Sequence, residues 1–261
     1  MSETPARDIG SCKFVLATDL DGTFLGGSDE DRQTLYEWIE ANRNTIGLIF
    51  VTGRGPKFIV ELCESGIPWP EYVIGDVGTT IAKVEGKKLN PIPALESDIA
   101  DAWGNGGPRV RDALDGTTGL TVQPTEFRYR VSYDMDPDIF DHEATIKTVE
   151  EMGYDWIASD AKFFDVLPKG VSKGPSLKKL VSHLGVPPNA VLAAGDTLND
   201  LSMLECGLPA VAVGGAEASL VERVEPLSHV YVAEAVGAAG ILEAVRVLDL
   251  HDTPGADASK E

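Results

Sequence analysis

Cysteine is scarce: the 261 residues hold only Cys12, Cys63 and Cys206. Odd in number, far apart and without a CxxC spacing, they argue against a disulfide or zinc framework and read as reduced thiols. Basic residues are also few, 22 Lys and Arg against 42 Asp and Glu, for a formal net charge of −20. Such a charge argues against nucleic acid or an anionic membrane surface as a partner. No apolar run approaches the roughly 20 residues a bilayer-spanning helix needs. Residues 1–10 lack the apolar stretch of a secretory signal. What is present is 43% hydrophobic and 25% charged residues, an ordinary globular balance. The length suits one large domain, or a core with a smaller second module. The expectation is a soluble cytoplasmic protein, monomeric or a small homo-oligomer.

The chain begins in an alternating strand–helix rhythm. Residues 13–18 form a short apolar run that stops at Asp19, the pattern of a strand covered on both faces. Ser28 with Asp31 resembles an acidic helix cap, and Leu35, Trp38 and Ile39 mark one face of the helix. A second buried strand spans 46–51 and leads into Thr52-Gly53-Arg54. Pro56 suits the first turn of the next helix, and a third strand covers 72–74. That order implies a parallel sheet with helices on its faces.

The rhythm breaks from about residue 84 to 165. Residues 120–123 and 128–133 alternate like half-exposed strands, 143–152 reads as an amphipathic helix, and 156–158 with 163–167 reads as a hairpin. Gly104-Asn105-Gly106-Gly107 reads as a flexible loop. Trp103 and Trp156 read as packing residues before sugar platforms, and none of the four histidines is clustered with metal-ligand spacing. After Lys173 the α/β rhythm returns, with strands expected at 191–194, 210–213 and 230–232. The predicted fold class is α/β, a doubly wound parallel-sheet core (1–83 and 166–261) with an inserted smaller α+β module (84–165).

In an open parallel sheet, ligands bind beyond the carboxyl ends of the strands. Asp19, Thr52 and Asp196 fall at such ends, and Lys173 lies just before a helix. Asp19 and Asp21 are two apart, and on extended backbone both would face one ligand. Two carboxylates that close repel unless a cation or a shared proton compensates, and Mg²⁺ is the natural hard partner for oxygen. Taken singly, each piece has an ordinary structural explanation: a solvated turn, a capping Thr, a surface Lys. Four of them in this order, each beside its own strand, are hard to produce by accident.

The combination resembles the haloacid dehalogenase (HAD) superfamily of phosphohydrolases, whose four motifs match Asp19-Leu20-Asp21-Gly22-Thr23, Thr52-Gly53-Arg54, Lys173 and Gly195-Asp196 through Asp200. The insertion sits where that superfamily places its larger cap. The resemblance implies Asp19 as nucleophile, Asp21 as general acid and then base, and an aspartyl-phosphate intermediate. It implies Mg²⁺ on the Asp19 carboxylate, the Asp21 carbonyl and Asp196. Thr52, Gly53 and Lys173 would bind the phosphoryl group, and Arg54, Asn199 and Asp200 would support the site. Within the superfamily the chain is most similar to sucrose-phosphate phosphatases. That likeness rests on Asp76-Val77-Gly78-Thr79-Thr80-Ile81, Arg130-Val131-Ser132-Tyr133 and Asp165-Val166-Leu167-Pro168.

It implies a phosphorylated disaccharide such as sucrose 6-phosphate, or another glycoside phosphate: mannosylfructose phosphate, glucosylglycerol phosphate or mannosyl-3-phosphoglycerate. Candidate sugar-reading residues are Glu126, Arg128, Arg130, Ser132, Asp160 and Lys162. A receiver-type signalling module also gathers Asp, Thr and Lys at strand ends. It is shorter, however, has no insertion and needs no second carboxylate two residues on. The acidic surface does not preclude an anionic substrate, because repulsion is largely screened beyond about 8 Å at physiological salt.

Overall fold

Period-two alternation in an apolar strand sends neighbouring side chains into two different cores, and this decides the architecture. In the first strand Phe14 and Leu16 enter one hydrophobic cluster with Leu35, Trp38, Phe50 and Ile241, while Val15 and Ala17 enter another with Val51, Leu177, Leu180 and Leu204. A strand buried on both faces needs helices above and below it. The computed structural model describes residues 8–125, 127–159 and 161–254.

In chain order the elements are β1 (Phe14–Thr18), α1 (Asp29–Ala41), β2 (Ile46–Val51), α2 (Pro56–Glu64), β3 (Tyr72–Gly75), β4 (Thr80–Glu85) and β5 (Lys88–Pro91). Then follow α3 (Pro93–Trp103), α4 (Gly106–Leu114), β6 (Leu120–Val122), β7 (Val131–Met135), α5 (His142–Glu151), β8 (Tyr154–Ser159) and β9 (Phe163–Pro168). The last third holds α6 (Lys173–Leu184), β10 (Val191–Gly195), α7 (Leu201–Leu204), β11 (Ala210–Gly214), α8 (Ala218–Val224), β12 (Val230–Val236) and α9 (Ala238–Val247).

Two sheets result. The large one runs β12-β11-β10-β1-β2-β3-β4-β5, parallel as far as β3 and antiparallel at β4 and β5. The small one runs β6-β7-β9-β8, antiparallel throughout. Its own core packs Val131, Tyr133, Phe164 and Val166 against Trp103, Val110 and Val149. Trp103 is buried there beside Tyr154, and Trp156 stacks on Phe164 at 6.0 Å between centroids. Among the described residues no helix is long and apolar enough to cross a membrane.

Three expectations shift. Residues 84–91, read as the start of the insertion, finish β4 and form β5 at the edge of the large sheet. The strand expected over 128–133 starts only at Val131, since Arg128 and Arg130 leave the ladder to bind other parts of the chain. The glycine-rich stretch at 104–107 is no open loop: it separates α3 from α4, and Gly106 and Gly107 lie in the first turn of α4.

Candidate active site

Strand order brings the motif residues together. β1 lies between β10 and β2, so Asp19, Asp196 and Thr52 emerge side by side at the carboxyl ends of three adjacent parallel strands. After Asp19 the chain does not stay extended. Leu20–Phe24 closes into a tight turn in which Gly22 has φ +78°. Glycine is required there twice over, by that backbone angle and because a Cβ would stand 2.1 Å from the Asp196 carboxylate. Thr23 Oγ1 donates to Asp196 Oδ1 at 2.6 Å and fixes that side chain.

Lys173 opens α6 and is wholly buried. Gly174 follows it because any side chain would collide with the Ser202 carbonyl, 1.8 Å from a Cβ there. The Lys173 ammonium donates to Asp19 Oδ1 at 2.7 Å, Asn199 Oδ1 at 2.7 Å and Asp200 Oδ1 at 2.6 Å. All three of its hydrogens are thereby used. Asp200 spends its other oxygen on the Asp196 and Thr197 amides, both at 3.1 Å.

Charge in this pocket does not balance. Oxygens of Asp19, Asp196 and Asp200 lie within 4.8 Å of one another and face one ammonium. Burial, with Asp200 and Asp196 adding to it, pushes the Asp19 carboxyl up to about 8 despite Lys173. Burial likewise raises Asp196 to about 6 against the Thr23 hydrogen bond, helped by Asp200. Burial works against the Lys173 charge, but Asp19 and Asp200 overcome it and hold the ammonium above its ordinary range.

Such a pocket is short of positive charge, and Asp19 and Asp196 each keep one oxygen outside any hydrogen bond among the described residues. A hard divalent cation with oxygen ligands fits that donor set. Asp200, expected only in support, is a full member of the carboxylate cluster.

Asp21 goes elsewhere. Its carboxylate accepts from Arg54 Nε at 2.8 Å and Nη2 at 3.2 Å, and both side chains are about half exposed, 53% and 50%. The Asp21 carboxylate is thus not part of the Asp19, Asp196 and Asp200 cluster but is paired with Arg54 beside it. The Arg54 guanidinium also lies 4.7 Å over the Phe58 ring. Thr52 is buried, and its Oγ1 accepts the Arg54 amide at 3.1 Å.

The residues expected to read sugar divide in three. Arg130 and Ser132 turn to protein partners. Arg130 donates to the Gly53 carbonyl at 3.0 Å and to Asp165 Oδ1 at 3.0 Å, and the Ser132 hydroxyl also donates to Asp165. Arg128 forms a two-pronged pair with Glu96, 2.9 Å on each arm, and reaches Thr80 Oγ1 at 3.2 Å, yet stays 45% exposed. Lys162 is exposed on the turn between β8 and β9. Glu126 and Asp160 lie outside the described residues. Thr23 and Asp165 stand in the stretches that carry the family resemblance, but nothing in the sequence assigned them these contacts.

Known proteins bear out the pattern. The sucrose-6F-phosphate phosphohydrolase family profile matches residues 12–249. Over 232 residues the chain is 40% identical to glucosylglycerol-phosphate synthase of Pseudomonas anguilliseptica, covering 88% of this chain but 30% of that protein. It therefore spans under a third of that relative's length. It is 30% identical to mannosylfructose-phosphate phosphatase of Agrobacterium fabrum, covering 89% of this chain and 95% of the other. The sucrose-phosphatase of Synechocystis, solved with sucrose and phosphate, superposes with a TM-score of 0.82 at 26% identity, covering 91% and 98% of the two chains. With a profile match over most of its length and the HAD fold beneath it, this chain belongs to the sucrose-6F-phosphate phosphohydrolase family and is a sugar phosphatase.

Proposed function

We propose that the enzyme releases phosphate from a phosphorylated glycoside through an aspartyl-phosphate on Asp19, with sucrose 6-phosphate as the first candidate substrate. The observation that carries this reading is the buried Lys173 ammonium, which binds one Asp19 oxygen and leaves the other outside any hydrogen bond among the described residues. That oxygen attacks phosphorus while the bond to the sugar oxygen breaks. Asp21, half exposed and paired with Arg54, protonates the departing sugar oxygen. Water then attacks the phosphoryl group, Asp21 takes its proton, and the bond to Asp19 breaks to free phosphate.

Thr52 and the Gly53 amide hold phosphoryl oxygens, and Lys173 adds positive charge where the transferring group is most anionic. The Asp19 oxygen that accepts from Lys173, together with Asp196 and the Asp21 carbonyl, would hold Mg²⁺, which leaves the other Asp19 oxygen to attack. When bound, that ion neutralises charge so that an anionic nucleophile can approach an anionic phosphate. The small sheet with α4 and α5 acts as the cap that selects the sugar, and Arg128 and Lys162 keep solvent-facing side chains for that task. A second substrate, glucosylglycerol phosphate, is favoured by the 40% identity to the synthase.

Phosphate release from sucrose 6-phosphate, glucosylglycerol phosphate and mannosylfructose phosphate separates these readings. One of the three should turn over well ahead of the others. Asp19→Asn should cut that rate by more than roughly 10³-fold with the fold retained, and EDTA should abolish it. Turnover surviving in Asp19→Asn would end the nucleophile assignment.

A further inference from the structure

Three successive carbonyls of the phosphate-binding loop are each held from behind. The Thr52 carbonyl accepts the Val77 amide at 3.2 Å and the Arg54 carbonyl accepts the Asp76 amide at 3.1 Å. Both donors lie in a strained turn: Asp76 and Val77 have φ of +52° and +60°, a region that costs a residue other than glycine about 1–3 kcal/mol. Such a turn persists only where its surroundings hold it, and here the Thr80 hydroxyl donates to Asp76 Oδ2 at 2.7 Å. The middle carbonyl, that of Gly53, is different. Its partner is Arg130, which immediately precedes β7 of the small sheet and reaches across to the large one at 3.0 Å.

We infer that Arg130 is a positioning residue, which fixes the Thr52 hydroxyl through the peptide plane between Gly53 and Arg54. This rests on the reading that Thr52 holds the phosphoryl group. A peptide unit is planar, so pinning the Gly53 carbonyl also aims the Arg54 N–H. That N–H donates to Thr52 Oγ1 at 3.1 Å, which occupies a lone pair and leaves the hydroxyl hydrogen for phosphate.

Arg130 has no solvent to face. It is 6% exposed, lies 3.7 Å over the Phe127 ring, and is flanked by Asp165 at 3.0 Å and Asp76 at 3.6 Å. Its Nε and the Asp76 Oδ1 are both buried and have no hydrogen-bond partner among the described residues. A buried cation with partly unmet donors is a poor stabiliser compared with apolar packing. Its planar fork, however, suits holding two acceptors at a set angle. The phosphate loop therefore has its working geometry only when the small sheet is seated on the large one. An arginine reading sugar would instead need an open face.

The test is a double-mutant cycle of Arg130→Met with Thr52→Val, read by kcat and KM on p-nitrophenyl phosphate and sucrose 6-phosphate and by calorimetric binding of inorganic phosphate. Alone, Arg130→Met should lower kcat about tenfold or more on both substrates and weaken phosphate binding by a similar factor. In the Thr52→Val background the same change should cost less than about twofold, because the group it acts through is gone. Arg130→Lys keeps a cation between Asp76 and Asp165 and carries the same cycle should Arg130→Met not fold. An equal loss in both backgrounds, or a loss confined to the sugar substrate, overturns the inference. A wild-type chain inactive on both substrates would strike the phosphatase reading instead, while the cycle on phosphate binding would still decide Arg130.

Discussion

Two ion-paired groups flank the turn that follows β1, and they differ chiefly in burial. Lys173 and Asp200 are wholly buried and Asp19 keeps 8% of its side chain exposed, whereas Arg54 meets Asp21 with both side chains about half exposed. Water decides what each can do. The exposed pair contributes roughly 0–1 kcal/mol, so Asp21 can leave Arg54 and handle protons at little cost. The buried group cannot rearrange: its ammonium has no other solvent, and its acids meet no other cation among the described residues. One half of the site is a fixed electrostatic frame and the other is exchangeable.

Removing the cation from the buried half should give the largest effect. Lys173→Met leaves Asp19 and Asp200 facing each other out of water, and should cost about 3–5 kcal/mol of folding stability as well as turnover. Denaturant unfolding without metal measures the first, and Mg²⁺ should recover part of it. A variant as stable as the parent would mean that water already enters this half.

Next comes the exposed half. Asp21→Asn should lower kcat by roughly 10²–10⁴-fold and shift stability by less than about 1 kcal/mol. A combined loss of stability and activity would erase the contrast between the two pairs.

The smallest effect is one of pH. Asp19 and Asp196, raised by burial to about 8 and about 6, must both lose protons to hold a metal. For acids raised above their ordinary 3.8, stability without metal is fullest below that value and is lost as pH rises through the shifted ones. The rise in melting temperature on adding Mg²⁺ should therefore grow between about pH 5 and pH 8. A shift independent of pH would place the ion elsewhere.

Strands buried on both faces were legible because their signal is local. An uninterrupted apolar run such as 46–51 admits no exposed face, and it became a strand of the same extent. The hairpin of 156–158 with 163–167 paired as read. The edge strands were harder to see. Lys88-Leu89-Asn90-Pro91 carries only one apolar residue, and β5 exists because β4 offers it a free ladder. Arg128 and Arg130 sit in an alternating stretch, and alternation cannot tell an arginine bound for Glu96 from one that belongs to a strand.

By itself the sequence determined the alternation of buried strands and helices and the placing of Asp19, Thr52 and Asp196 at strand ends, because residue spacing along a strand dictates side-chain direction. Tertiary structure alone decided which carboxylates meet. It turned Asp21 out to Arg54, drew Asp200 in beside Asp19, and delivered Arg130 to a carbonyl 77 residues away in the chain. Those choices rest on a tight turn and on the docking of two sheets, and contacts between distant segments leave no periodic trace in the chain that makes them.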